Sequence, residues 1–460
     1  MSLTKATYSM IEGASVNVLD YGAVGDGVTN DASAIQAAID AIVASNVPTQ
    51  LTIPGGTYKC NSGLTVNVGF VSIFGMGAKL DFSGIGAGVT AITFVGGGSQ
   101  YNQAARAFSG LEIEGPGIGS TSTALYFNTA SEPGPSHLSI ENVVVHDFAT
   151  GWKLGNNAYL IDNYHVDFYA CGTCVSMPSG QTNSGSICNF YGGTWFNSNN
   201  GADLNSGPNQ TQLFGVALGE IGTGVAGGGN CFKLTKGSLV LHGCHVEDFN
   251  RLAKLFYVPA GNPSLVRIQS YGSWYAENGA LGATPWIDMA GQSVLGLDGG
   301  ELACAAGITT AISIGASGTF IENGVGEILN GAAVTINSAA TYLRFPTGLS
   351  APISTSANYV AANYYASHGQ FRSQNTATIA ANGTNYPLTG AVTGGIYVFR
   401  DATIGGSAVY IVDFGVSSCT LISGNISGTF AASIVAGVVN ISTVSGSVPR
   451  TIQWVSLNVN

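Results

Sequence analysis

The chain has 460 residues, of which 45% are hydrophobic, 66 are glycine and only 8% are charged, against roughly 25% charged in an average globular protein. Its net charge is −11, from 14 Lys and Arg against 25 Asp and Glu, so nucleic acid and anionic membrane, which both require clustered cations, are poor partners. Membrane insertion is not expected either, because no apolar run reaches the ~18 residues that span a bilayer. The amino-terminal stretch MSLTKATYSMIEGAS lacks the apolar core of a secretory signal. With so few charges, Ser, Thr, Asn and Gly must make the water-facing surface, a profile of β-rich and loop-rich proteins.

The first structured stretch is DYGAVGDGVTNDASAIQAAIDAI at 20–42, with three acids ahead of an apolar run. Asp31 is placed as the N-cap of a helix whose Ala34, Ile35, Ala38, Ile39 and Ile42 follow i, i+3, i+4 spacing. A calcium loop would need alternating acid ligands and a terminal Glu. A phosphate loop would need its Lys and a βαβ context. Neither is present, so the acids and glycines shape a turn. QLTIPGGTYKC at 50–60 begins the first strand, and GMGA at 75–78 reads as a turn.

From about residue 107 the chain repeats itself, in segments such as LSIENVVVHDF from 138, LIDNYHVDFYACG from 160, SICNFYGGTWF from 186, SLVLHGCHVEDF from 238 and SLVRIQSYGSWYAENG from 264. Each holds a short alternating strand, a Gly, Asn or Asp, and a second strand. Successive segments start at 110, 138, 160, 186, 212, 238 and 264, that is, every 22 to 28 residues. Strand repeats of this length without helices specify a β-solenoid, in which stacked rungs share one continuous core. The 20–42 segment then supplies a capping helix for its open end, where unpaired backbone would otherwise face water.

NVLDYGAVGDGVTNDASAIQAAIDAI, followed by LTIPGGTYK, resembles the amino-terminal signature of the pectate-lyase-like right-handed parallel β-helix family. The likeness covers residues 16–60 closely, and the rungs to about 345 agree in kind. It implies an all-β fold: a right-handed parallel β-helix with an N-terminal capping helix. The family includes polysaccharide lyases, glycoside hydrolases and many bacteriophage tailspike depolymerases. Polygalacturonase motifs are missing beyond HGC at 242–244, and cations are too scarce for the calcium-dependent pectate lyases. The acidic, Ser, Thr, Gly and Asn-rich composition is more like that of tailspikes. That resemblance implies a homotrimer on a virion tail or otherwise extracellular, with bacterial surface polysaccharide (capsule or O-antigen) as partner. No particle-attachment domain precedes residue 16, so either the sequence is a fragment or residues 1–15 dock on a phage tail or baseplate protein.

After a Ser, Ala and Pro-rich linker at 346–369, residues 370–460 change to short alternating strands such as GGIYVFRD and SAVYIVDFG. These read as a small C-terminal antiparallel β-sandwich, for which the resemblance to tailspikes implies trimerisation or glycan binding.

In a solenoid, residues one period apart stack into a column, so an interval of 27 would align Glu220, Glu247, Trp274 and Glu301, with Asp167 near the same column. Carboxylates in such a column face outward and fall within the ~5 Å or ~6.5–9.5 Å separations of retaining and inverting glycosidases. Glu247 is the leading catalytic candidate, then Glu220 and Glu301, with Asp167, Asp248 and Glu277 nearby. Trp274, Tyr275, Trp195 and Trp286 are candidate sugar-binding aromatics. The reaction expected is glycoside hydrolysis by paired carboxylates, with β-elimination or non-catalytic glycan binding as alternatives. No metal or cofactor is expected: His242 and His245 flank Cys244, but alternation would turn them to different faces. The eight cysteines, including the CGTC pair at 171–174, read as buried thiols.

Overall fold

A computed structural model of the chain describes residues 15–96, 106–206, 210–222, 229–248, 254–276, 285–304, 307–323, 325–328, 332–337 and 340–345. Further on it describes strands at 364–365, 371–379, 386–387, 395–401, 407–413, 418–424, 430–435, 438–443 and 450–458. Only backbone is described at 247–248, 276, 327–328, 342–345 and in the strands beyond 345. The described residues fall into two units: one carries 15–318 and 325–337, the other 319–323 and the strands from 341 onward.

The first unit is a right-handed parallel β-solenoid of about 10 turns. A rung has three sides. Two are arms of one bent strand, as in Ser136–His146 and Tyr159–Tyr169. The third is a short strand such as Thr150–Leu154, part of an 11-stranded parallel sheet running from Leu64–Asn67 to Ala333–Ile336. Third-side strands repeat one pattern, seen in TGWKL, TCVSM, NGADL, NCFKL and KLFYV, with the second, third and fifth residues buried. Stacking these residues builds the core. Phe127 lies 4.8 Å from Trp152, and Trp152 meets Phe190 edge-on at 5.8 Å. Each such large side chain taken from water contributes about 1.5–3 kcal/mol.

In five successive rungs the bend between the arms falls on a left-handed residue: Asn142, His165, Gly192, Gly215 and Gly243, with φ of 50°, 50°, 64°, 63° and 59°. This residue interrupts strand alternation. Phe214 faces out, Gly215 turns, Val216 faces in and Ala217 faces out again. His242 and His245 therefore both face outward, on different arms, because Gly243 resets the alternation that was expected to separate them.

In the first turn a helix, Ala32–Ser45, stands in place of the third-side strand, with Ala32, Ile35, Ala38, Ile39 and Ile42 buried. Its Gln36 bonds both ways to the Thr65 backbone, accepting from the N–H at 2.9 Å and donating to the carbonyl at 3.1 Å. Asp31 precedes the helix but does not cap it with its side chain. Its ψ of −5° is already helical rather than extended, and the carboxylate instead accepts from the N–H groups of Val24 and Gly25 at 2.7 and 3.0 Å. Asp31 thus ties down the glycine-rich turn. Seven cysteines are described, and all are buried thiols, Cys171 and Cys174 among them. Burial pushes the Cys174 thiol up to about 12.

In the second unit Phe371–Ile379, Gly395–Asp401 and Ser407–Asp413 belong to antiparallel pairings that also take in Ser418–Gly424 and Arg450–Asn458. Phe430–Val435 and Val438–Thr443 form a separate antiparallel pair, extended by Tyr386–Pro387.

Candidate functional site

Parallel pairing sets the outward positions of successive rungs one above another, ~4.8 Å apart. On the first arm one column runs Glu141, Tyr164, Tyr191, Phe214, His242, Tyr271. Its rings stack face to face with centroids 4.8, 4.9, 4.6 and 5.2 Å apart and interplanar angles of 10°, 11°, 6° and 5°. Ring faces are therefore spent on one another. The column offers hydroxyl and imidazole edges outward rather than flat aromatic surface. Glu141 and Asp162 lie at its N-terminal end. The Ser139 hydroxyl donates to Glu141, and Asn189 Nδ2 donates to Asp162 Oδ1 at 2.8 Å. Burial, then Asp162, Tyr191 and Glu141, pushes the Tyr164 hydroxyl above its ordinary range.

The second arm carries two outward columns. One runs through positions His146, Tyr169, Phe196, Gly219, Glu247, Tyr275, Ala303. In the other, Glu112, Val144 and Asp167 align in the earlier rungs, and Thr194, Ala217, His245 and Ser273 in the later ones. Glu301 opens its strand two residues before Ala303 and so points to the same side. Near the N-terminal end Lys79 bridges Glu112 at 3.1 Å and Glu114 at 2.5 Å, and the bond to Glu114 holds its ammonium above the ordinary lysine range. His146 lies between Asp147, 2.8 Å from Nδ1, and Glu112, 3.2 Å from Nε2. Further along, the Tyr275 hydroxyl donates to Glu301 Oε2 at 2.7 Å, and the His245 ring lies 5.3 Å from that of Tyr275. Glu247 is the ladder partner of Tyr275.

The expected single column of acids is corrected by this register. The aligned positions are Gly219, Glu247, Tyr275 and Ala303, not Glu220, Glu247, Trp274 and Glu301, so the true interval is one longer than the expected one. A slip of one residue moves a side chain to the other face of a strand. Glu220 consequently falls just past its strand, in the turn, with φ 51°. Trp274 lands in the inner column between Val246 and Leu302, and its indole N–H donates to the Ser270 hydroxyl at 2.9 Å. Trp195 and Trp286 are also core residues, 0% and 1% exposed. None of the three tryptophans can present a face to a sugar; their bulk fills the rung interior. Asp167 lies outward on the second arm, and its carboxylate accepts the Thr194 N–H at 2.6 Å. Asp248 ends its strand opposite Ala276, its side chain and that of Glu247 lie outside the described residues, and so does Glu277 as a whole.

Register thus keeps the positions of Glu247, Tyr275 and Glu301 together and adds His245. It also exposes the aromatic column, which periodicity arguments on acids overlooked. A signal for it was present, since each ring directly precedes the bend position in NYHV, FYGG, LFGV, LHGC and SYGS. Among the described residues no group of three His, Cys, Asp or Glu side chains is arranged to hold a metal, and no helix is long and apolar enough to cross a membrane.

Residues 15–96 match a family model described as rhamnogalacturonase A/epimerase, pectate lyase-like. Over 84 residues the chain is 40% identical to the mannuronan C5-epimerase AlgE2 of Azotobacter vinelandii, a stretch covering 18% of this chain and 8% of the epimerase. The same identity over 84 residues relates it to AlgE1 of that organism, again over 18% of this chain and over 6% of the epimerase. The chain thus spans a small fraction of these relatives. Among solved structures, the gp42 tailspike of Acinetobacter phage vb_AbaP_AS12 superposes with a TM-score of 0.53 at 12% identity, over 98% of this chain and 83% of that one. The shared feature is the solenoid fold.

Proposed function

We propose that the protein is a polysaccharide-cleaving enzyme of the phage tailspike kind, an endo-glycosidase that shortens a bacterial capsule or O-antigen. One observation carries this reading: the positions of Glu247, Tyr275 and Glu301 fall together on the outward side of the second arm, with Glu301 held by the Tyr275 hydroxyl at 2.7 Å. The pectate-lyase-like match at residues 15–96 and the fold shared with a tailspike support it. Glu247 and Glu301 stand two rungs apart, ~10 Å along the backbone, and side-chain reach brings such a pair into the ~6.5–9.5 Å range of inverting enzymes. Glu247 protonates the leaving oxygen. Glu301, oriented by Tyr275, activates the attacking water. Asp248, the last residue of the strand of Glu247, and Glu277, the residue after the strand of Tyr275 in the sequence, would contact substrate, as would the exposed part of Tyr275.

The assignment is checked by assaying Glu247→Gln and Glu301→Gln on the polysaccharide that a panel of purified capsules and O-antigens identifies. Each should lower the rate by about 10³-fold or more, whereas Glu220→Gln, in the turn, should stay near wild type. Undiminished cleavage by both variants would remove this site. A second reading, β-elimination, draws on Tyr275, whose phenol beside Glu301 and His245 could serve as a base. New ultraviolet absorbance from an unsaturated product would mark it.

The helix Ala32–Ser45 would close the N-terminal end of the core, and the antiparallel strands of 370–460 would form the sandwich that holds three copies together or binds glycan. The protein would then work as a homotrimer on a virion tail. Light scattering that gives the mass of one chain would contradict the trimer.

A further inference from the structure

We infer that the glycan lying on the second arm is uncharged there, built of neutral or N-acetylated sugars rather than uronic acids. The inference rests on the proposed polysaccharide-cleaving reading and names its substrate class. From the rung of His146 to that of Glu301, the outward positions of this arm among the described residues hold Asp167, Glu247 and Glu301 and not one Lys or Arg. The described cations are placed elsewhere. Lys79, toward the N-terminal end, is taken up by Glu112 and Glu114. On the third side Lys233 pairs with Asp203 at 3.1 Å, Lys254 with Asp288 at 2.5 Å, and Lys153 lies over the Tyr126 ring at 5.1 Å. Arg106 is buried, and Arg267, exposed, belongs to the first arm. A polyuronate carries a carboxylate on every sugar and would meet acids with no cation beside them among the described outward positions of this arm, a like-charge contact that recognition sites use to reject partners.

This charge pattern also selects between the two chemistries. Elimination needs a carboxyl at C5 of the sugar to acidify the proton removed, and an uncharged sugar has none. Hydrolysis needs no such group. Water oxygen bonds to the anomeric carbon as the bond from that carbon to the bridging oxygen breaks; Glu247 gives its proton to the leaving oxygen and Glu301 takes one from water. Tyr275 is then a positioning residue for Glu301.

The test is retention of the full chain on immobilised bacterial polysaccharides, comprising neutral, N-acetylated, uronate-rich and sialylated members together with polymannuronate, at about 20 and about 300 mM NaCl. Retention is expected on uncharged polymers only, changing less than about twofold between the two salt concentrations. Retention on polymannuronate or any uronate-rich or sialylated polymer, about tenfold dependence on salt, or no retention on any member would overturn it. Retention on a neutral polymer without shortening would leave this inference standing and remove the depolymerase reading.

Discussion

Asp31 is 1% exposed, and a carboxylate so placed must be hydrogen-bonded or it destabilises the fold. Its two bonds, from the N–H groups of Val24 and Gly25, fix the turn that leads into the first helix. Asp31→Ala would orphan both donors, and we expect a loss of about 2–4 kcal/mol in denaturant unfolding. Asp26, on the surface of the same turn, accepts from the N–H groups of Thr29 and Val28 and from the Thr29 hydroxyl, which hold its carboxyl below the ordinary value of 3.8. A depressed folded-state pKa stabilises above the unfolded value and is lost as pH falls through the folded one. NMR titration should therefore find Asp26 ionised below pH 3.8, and Asp26→Asn should flatten the acid limb of the stability curve there.

At the scale of strands, the left-handed bend decides which side chains look outward. Gly193 follows it in the rung of Trp195 with φ 87°, and a Cβ there would sit 2.4 Å from the Val166 carbonyl oxygen. Gly193→Ala must push two rungs apart, so a loss of about 2 kcal/mol or more is expected in thermal or denaturant unfolding. The inner column makes a contrasting case. Trp274 meets Phe256 edge-on at 5.7 Å, and Trp274→Ala should cost about 3–5 kcal/mol by leaving a cavity. Tyr275→Phe, one residue on, should leave stability within about 1 kcal/mol because the hydroxyl lies outside the core. It should lower turnover and shift its pH profile if that hydroxyl orients Glu301. Unfolding and rate measurements on the pair separate packing from positioning.

Along the first unit rungs pack chiefly on their immediate neighbours, so stability is shared along the axis rather than pooled in one centre. The rungs are not equal in length. One inner column passes through Leu138, Ile161, Cys188, Thr211, Leu239 and Ile268, and the interval between successive members changes from rung to rung. Strand lengths are held by the core while turns grow or shrink freely on the surface, which is why a fixed interval drifts off the column. A truncation that removes a whole rung should therefore be tolerated better than deletion of one residue within a strand, which reverses every side chain beyond it. Circular dichroism melts of such a pair would show it.

The solenoid itself was legible in the sequence. Repeated alternating strands with apolar residues inside, as in LSIENVVVHDF, and the helix from Ala32 follow from local patterning, since burial on one side of every rung imposes a period of two and the end turn a period of 3.6. Burial of the seven described cysteines agrees with spacings that complete no metal site and with the behaviour of a free thiol as a small hydrophobe. Only the tertiary structure decided which acids share a surface. That Glu220 leaves the column, that Trp274 turns inward, and that Tyr275 reaches Glu301 all depend on turn lengths and on the bend at Gly243. Facing direction is fixed by register with the neighbouring rung, a long-range pairing that no local run of residues encodes.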